Sequence, residues 1–242
     1  MSTIAQKNEG RRAAESGEAT ALISPSTDAV FNRPQDPWQD FTELKTKYAQ
    51  GLADRAIYFE EYSMAKRTFW TRPVDAEYDQ ALVHSFMNRE HVVPYWRMDW
   101  PLPGIRKYLE DAIARPGFEP YMAYMDDEAF GYFETYDPAR DRIKDFYEPR
   151  PTDIGLHILI GEEKYLKKFI IRLSITLMRV IFERWPECER IVGEPDENNK
   201  AVLGLMKFLG FRFEHKITFP EKTADLLTLS RSDFERGHGS RA

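Results

Sequence analysis

The sequence holds a single cysteine, Cys188, among its 242 residues. One thiol cannot close an internal disulfide, and no cysteine-based metal site can be built on it. Long apolar runs are missing as well, since no stretch approaches the roughly 20 residues of a bilayer-spanning helix. The N-terminus lacks the charged-then-apolar pattern of a secretory signal, so a cytoplasmic protein is expected. Positive charge is not in excess either: 40 Asp and Glu outnumber 34 Lys and Arg, for a net charge of −6. Phosphate backbones are held by clustered basic surface, so nucleic acid is not an expected partner. Neither a membrane nor a metal is expected.

Apolar material is plentiful. Hydrophobic residues make up 42% of the chain and aromatics 14%, enough for one large domain or one domain with an appendage. Residues 1–35 are rich in Ser, Ala, Glu, Arg and Thr without periodicity, and are expected to be a disordered tail. Residues 36–65 read as an extension. In it a helix to about Gln50 carries Trp38, Phe41, Leu44 and Tyr48 at spacings of three and four, and a strand covers 55–62. The main domain is placed at 66–236. It reads as strand 66–74, helix 75–88, an aromatic and polar loop 91–101, helix 101–114, and a hairpin of 119–125 with 129–135. Residues 136–151 are an irregular insertion of alternating charge.

The stretch from Asp153 to Glu163 organises the rest. Ile154, Leu156, Ile158 and Ile160 alternate with Asp153, Gly155, His157 and Leu159, the period of a strand. His157 is the lone titratable group in the middle of its face. The strand breaks at Gly161 and leads into one long apolar helix, 162–185. A strand 190–196, a helix 198–209 and two strands, 211–219 and 223–229, complete a mixed α/β class.

Chemistry is expected where strands part. A right-handed crossover through the long helix sets 190–196 parallel to the His157 strand. Pro195 has no N–H for a ladder, so pairing must fail there and leave a cleft. His157 and Asp196 would flank it, a histidine and a carboxylate suited to general base and acid work. Each has a plainer reading, His157 as a packed side chain and Asp196 as the N-cap of the following helix. Lys164, Lys167, Lys168 and Arg172 at the start of the long helix suggest an anion site, or else a solvated face. His91, Tyr95, Trp96, Asp99 and Trp100 could line a pocket for an elongated amine, or pack under a loop.

The order of elements from Lys66 to Leu229 resembles the GNAT superfamily of acyl-CoA N-acyltransferases, and within it the acyltransferases of hydroxamate siderophore biosynthesis. The blocks that carry the resemblance are His91-Val92-Val93-Pro94-Tyr95-Trp96, Asp141-Arg142-Ile143 to Phe146-Tyr147, Ile154 to Gly161, and Arg190 to Asp196 followed by Asn. It implies a GNAT-like fold with a sheet splayed between the 153–160 and 190–196 strands. It implies an acyl-CoA co-substrate, acetyl-CoA or succinyl-CoA, and a small N-hydroxyamine (N-hydroxylysine, N-hydroxycadaverine or N-hydroxyputrescine) converted to a hydroxamate. Other siderophore-pathway enzymes are the partners it suggests. His157 and Asp196 fall on the family's proposed catalytic pair. The acyl-CoA contacts implied are Leu159, Ile160, Gly161, Lys164, Lys167, Lys168, Asn198 and Asn199; those to the acceptor are His91, Trp96, Asp99, Trp100, Arg142 and Glu194. The chain departs from the family in its pyrophosphate loop, where 164–170 contains no glycine, so the backbone cannot approach phosphate as closely. Acylation of an unhydroxylated amine, or acyl-CoA binding without catalysis, are the alternatives.

Overall fold

A computed structural model describes residues 55–62 and 66–238. The tail and the 36–50 helix expected from the sequence lie outside them. Eight strands form one sheet in the order β1-β2-β3-β4-β5-β6-β8-β7. They are β1 (Tyr58–Tyr62), β2 (Arg67–Pro73), β3 (Phe118–Met125), β4 (Glu128–Tyr136), β5 (Asp153–Ile160), β6 (Arg190–Gly193), β7 (Arg212–Thr218) and β8 (Thr223–Ser230). All neighbours are antiparallel except β5 and β6.

Helices cover both faces. On one lie α1 (Ala76–Met87), the short α2 (Val93–Trp96) and α3 (Leu102–Ala114). They pack on Trp70, Met122, Tyr124, Tyr132 and Leu159 of the sheet. Asp75 starts α1 by accepting the N–H groups of Glu77 and Tyr78, which satisfies two of the donors a helix start leaves open. One turn on, Asp79 pairs with Arg72 of β2 at 2.7 Å, both side chains fully buried. This pair pins α1 to the sheet. The opposite face carries α4 (Glu163–Lys168), α5 (Ile170–Arg184) and α7 (Arg231–His238), and α6 (Lys200–Phe208) follows β6. Here Leu173, Leu177, Ile181 and Phe182 meet Phe69, Tyr121, Phe133, Ile154 and Leu156.

The expected loop 91–101 holds the short helix α2, the strand expected at 190–196 ends at Gly193, and two further differences bear on the core. The helix 162–185 is divided at Phe169, whose φ of −121° and ψ of −4° leave helical geometry. Tyr165, Phe169, Leu173 and Leu177 keep a spacing of four, so direction changes at the break while the apolar face does not. The second is α7, which adds Phe234 to the core beside Phe182. In the β3–β4 hairpin, Asp126 takes the left-handed turn conformation, φ 54°, as tight hairpin turns require.

The feature that positions the site is the parting of β5 from β6. They pair only at Asp153–Arg190, Ile154–Ile191 and Gly155–Val192. Beyond Gly193 the chain leaves β5: Glu194 and Pro195 follow, and Asp196 bridges to Ala224. Five residues of β5, from Leu156 to Ile160, are left without a β6 partner while still paired to β4 on the other side.

Candidate active site

A cavity of about 680 Å³ opens where the two strands part. Its walls come from β5 (Leu156 to Ile160), the α2 segment (His91, Trp96, Arg97), β4 (Glu134), the exit of β6 (Gly193 to Asp196), and the facing sides of α5 and α6.

At its centre is His157. Nδ1 lies 2.8 Å from Oε2 of Glu134, and Nε2 lies 2.9 Å from Oε1 of Glu194. An ionised carboxylate only accepts hydrogen bonds, so a carboxylate on each ring nitrogen favours the ring with both nitrogens protonated, the imidazolium. Burial opposes that charge, but Glu194 and Glu134 outweigh it and raise the His157 pKa to about 10. Burial would likewise raise Glu194; the His157 cation, Lys222 and the Tyr136 hydroxyl hold it down at about 2. Lys222 Nζ lies 3.6 Å from Glu194 Oε1 and donates to its backbone carbonyl at 2.8 Å. Glu134 is fully buried and accepts two further bonds, from Tyr132 Oη at 2.5 Å and from Tyr108 Oη. Tyr136 donates to Glu194 Oε2 at 3.0 Å while its ring lies 4.7 Å from that of His157. That approach needs Gly155, since a Cβ there would fall inside the Tyr136 ring. Three phenols, two carboxylates, an imidazolium and an ammonium thus close into a network whose polar groups are each partnered, the condition for keeping charge in a core.

Asp196 also lines the cavity but is tied elsewhere. Oδ2 accepts from Arg97 at 2.8 Å, and Oδ1 accepts the Asn198 N–H at 2.9 Å and its side-chain amide at 3.1 Å. Burial raises its pKa, and these donors outweigh it and keep the carboxyl below its usual range. The N-cap of α6 is Asn199, accepting from Val202. His157 and Asp196 therefore share one cavity, while the groups that touch His157 are Glu134 and Glu194.

The other expected residues divide. His91 donates from Nε2 to the Ile160 carbonyl at 2.8 Å, Trp96 sits edge-on to His157 with centroids 6.2 Å apart, and Arg142 pairs with Glu221 over the Phe219 ring. These three, with Leu159, Ile160, Glu194 and Asn199, line the cavity. Asp99 and Trp100 do not; both are exposed, Trp100 resting on Tyr108. The lysines turn away: Lys164 pairs with Glu128, Lys167 with Glu163, and Lys168 lies over Phe169. Gly161 and Asn198 stay outside the wall, and the Gly161 N–H donates to Phe130.

That bond fixes which amides face the cavity. Donors alternate along an antiparallel strand. Gly161 donates to β4, so Leu159 and His157 do too, and the N–H groups of Ile158 and Ile160 point to the open edge. That edge of β5 has no strand paired to it. Among the described residues, no group of three or more His, Cys, Asp or Glu side chains is placed to hold a metal ion, and no helix is long and apolar enough to cross a membrane.

Residues 75–219 match the acetyltransferase (GNAT) domain family. An N-hydroxyputrescine acetyltransferase of Acinetobacter baumannii is 27% identical over 176 residues, 73% of this chain and 84% of that protein. The lysine N-acyltransferase MbtK of Mycobacterium tuberculosis is 31% identical over 143 residues, 58% of this chain and 68% of its own. Among solved structures, AAC(6')-Ib in complex with acetyl-CoA superposes with a TM-score of 0.63 at 25% identity, over 72% of this chain and 99% of that one. From the cap of α1 to just past β7, this chain is a GNAT acetyltransferase domain, and it belongs to that family.

Proposed function

We propose that the protein is an acyl-CoA-dependent N-acyltransferase that converts an N-hydroxylated amine into a hydroxamate, the iron-binding group of hydroxamate siderophores. The observation that carries this reading is the similarity to a protein named for acetylating N-hydroxyputrescine. The aromatic and carboxylate wall of the cavity, with Trp96, Tyr108, Glu134 and Glu194, suits a small cationic acceptor.

In the proposed reaction the acyl-CoA lies along the open edge of β5, its thioester oxygen facing the N–H of Ile158 or Ile160. One such donor is worth a few kcal/mol in other enzymes. A hydroxylamine nitrogen is less basic than an alkylamine, is neutral near pH 7, and attacks the thioester carbon directly. Carbon–nitrogen bond formation makes that nitrogen acidic, so a weak base suffices, and Asp196 takes the proton. His157 contributes fixed positive charge where oxyanion and thiolate develop, held in place by Glu134 and Glu194. The thiolate leaves as CoA and is reprotonated. Asp196 and His157 keep the paired roles expected from the sequence, with the proton assigned to the carboxylate because the imidazole has no free lone pair.

A second reading, favoured by the relative named as a lysine N-acyltransferase, has an unhydroxylated amine as acceptor. Paired acceptors separate the two: putrescine with N-hydroxyputrescine, cadaverine with N-hydroxycadaverine, lysine with N6-hydroxylysine. CoA release and ferric hydroxamate are followed together. Hydroxamate from the hydroxylated members only is the expected result; thiol release with the plain amines overturns the reading.

A further inference from the structure

We infer that the far end of the cavity is an acyl-chain site, and that the donor is a neutral, straight-chain acyl-CoA longer than acetyl. The inference rests on the acyl-CoA reading above and adds to it the class of acyl group.

Charge is unevenly distributed around the cavity. Ionisable side chains gather on the wall formed by α2, β4 and the exit of β6, around His157 and Asp196. The opposite wall has none. It is made of two helix stripes: Ile170, Ser174 and Met178, four residues apart on α5, and Val202, Leu205 and Met206 on α6, continued by Leu209. Such spacings put each set on one helix face. No residue of α6 is fully buried, although the helix is strongly apolar. Its Val202, Leu205 and Met206 line the cavity and are half-exposed, Leu205 and Met206 resting with their other sides on the core.

The strand directions say which part of the donor meets this wall. In the acyl-CoA reading the amides of Ile158 and Ile160 hold the thioester and the end of the pantetheine arm. The lining continues along α5 from Ile170 through Ser174 to Met178 and includes Leu156, Leu209 and Phe211. Leu156, Met178, Leu209 and Phe211 are all buried, and Leu156 follows Gly155, the last residue of β5 paired with β6. From Ser174 to Met178 this is about 6 Å along the helix. A chain bound with its thioester at Ile158 has only its acyl group to place there. Methylenes are favoured in such a space, and methionines adapt to chain length. A terminal carboxylate, as on succinyl-CoA, would be buried without a partner.

Full burial of one methylene is worth a factor of about four. Chain-length profiling of the full-length protein tests the inference, with acetyl-, butanoyl-, hexanoyl-, octanoyl- and succinyl-CoA against N-hydroxyputrescine and N6-hydroxylysine. The expected result is a kcat/KM for hexanoyl-CoA on the order of tenfold or more above acetyl-CoA, with succinyl-CoA below both. Ser174→Phe, which fills the arm, should lower the hexanoyl-to-acetyl ratio by about tenfold. Val202→Phe, on the half-exposed face of α6, does the same should the first variant fail to fold. Acetyl-CoA or succinyl-CoA used best, or a ratio unmoved by a folded variant, overturns the inference. Calorimetric binding of the same donors separates it from the reaction proposed above. Preference for hexanoyl-CoA in binding, without hydroxamate from any acceptor, upholds the acyl site and removes the reaction; binding that does not strengthen with chain length overturns the site even where acetyl hydroxamate forms.

Discussion

Replacing Glu134 by Gln keeps the shape of a fully buried side chain and removes its charge. Glu134 accepts from Tyr132, Tyr108 and His157 Nδ1. The amide oxygen can still accept from the imidazolium while its NH2 donates to the phenols, so the change removes the negative charge beside the imidazolium and turns a charged bond into one to a neutral acceptor. A hydrogen bond to a charged group contributes about 1.5–3 kcal/mol, and breaking a buried pair costs about 3–5. With Glu194 still in contact, a loss of about 3 kcal/mol is expected at pH 7. If that loss falls on the charged form of His157, its pKa drops by about two pH units. The pH dependence follows from the sign. His157 is raised in the folded protein from 6.5 to about 10. Its contribution is therefore complete below about 6.5 and lost as pH rises through about 10. In the variant the loss finishes earlier, so the difference in stability is fullest below pH 8 and shrinks towards pH 10. Urea unfolding of both proteins from pH 6 to pH 10.5, with NMR titration of the His157 ring, measures both quantities. A His157 that titrates near 6.5 in the wild type, or one unmoved by Glu134→Gln, refutes the reasoning.

Cys188 is buried and its thiol is pushed up to about 12 by that burial, so Cys188→Ala should leave turnover within about twofold; abolished turnover in a folded variant would mean that transfer passes through an acyl-thiol. Gly155→Ala should destabilise the protein by about 1–3 kcal/mol by driving Tyr136 off β5 and off Glu194, a loss that Tyr136→Phe, which keeps the ring and removes only the bond to Glu194, reproduces only in part in thermal unfolding. Lys167→Ala should leave the affinity for CoA unchanged, because that side chain is exposed and paired to Glu163; a tenfold weaker dissociation constant by calorimetry would return it to the phosphate site.

What the sequence displayed, and what it hid, follows the range of the interactions. The alternation along β5 placed His157 and Leu159 on one face and Ile154 and Leu156 on the other, and both assignments hold. Pro195 announced the end of pairing with β5, because a missing N–H is a local fact. Glu134 was not legible in the same way. It meets His157 only through the β4–β5 register, Glu134 opposite His157, which no local period dictates. A signal was present all the same: on β4, Tyr132, Glu134 and Tyr136 alternate on one face, and an acid among rings has to find a donor. Lys164 and Lys167 pair with Glu128 and Glu163, which was hidden because sequence shows the sign of a charge and not its neighbour. The helix α7 was missed because eight mostly polar residues with one buried ring, Phe234, leave no periodic signature.

The central claim is that an imidazolium fixed between Glu134 and Glu194 serves acyl transfer as a charge and not as a base. The pH dependence of kcat with a hydroxylated acceptor tests it most directly, since kcat reports groups in the enzyme–substrate complex and leaves out the titration of free hydroxylamine. The account predicts a plateau across neutral pH and a fall as pH approaches 10, where His157 loses its proton. A kcat that instead climbs through pH 6 to 7 to a plateau, with the rise abolished in His157→Asn, would show neutral His157 acting as the base and contradict it.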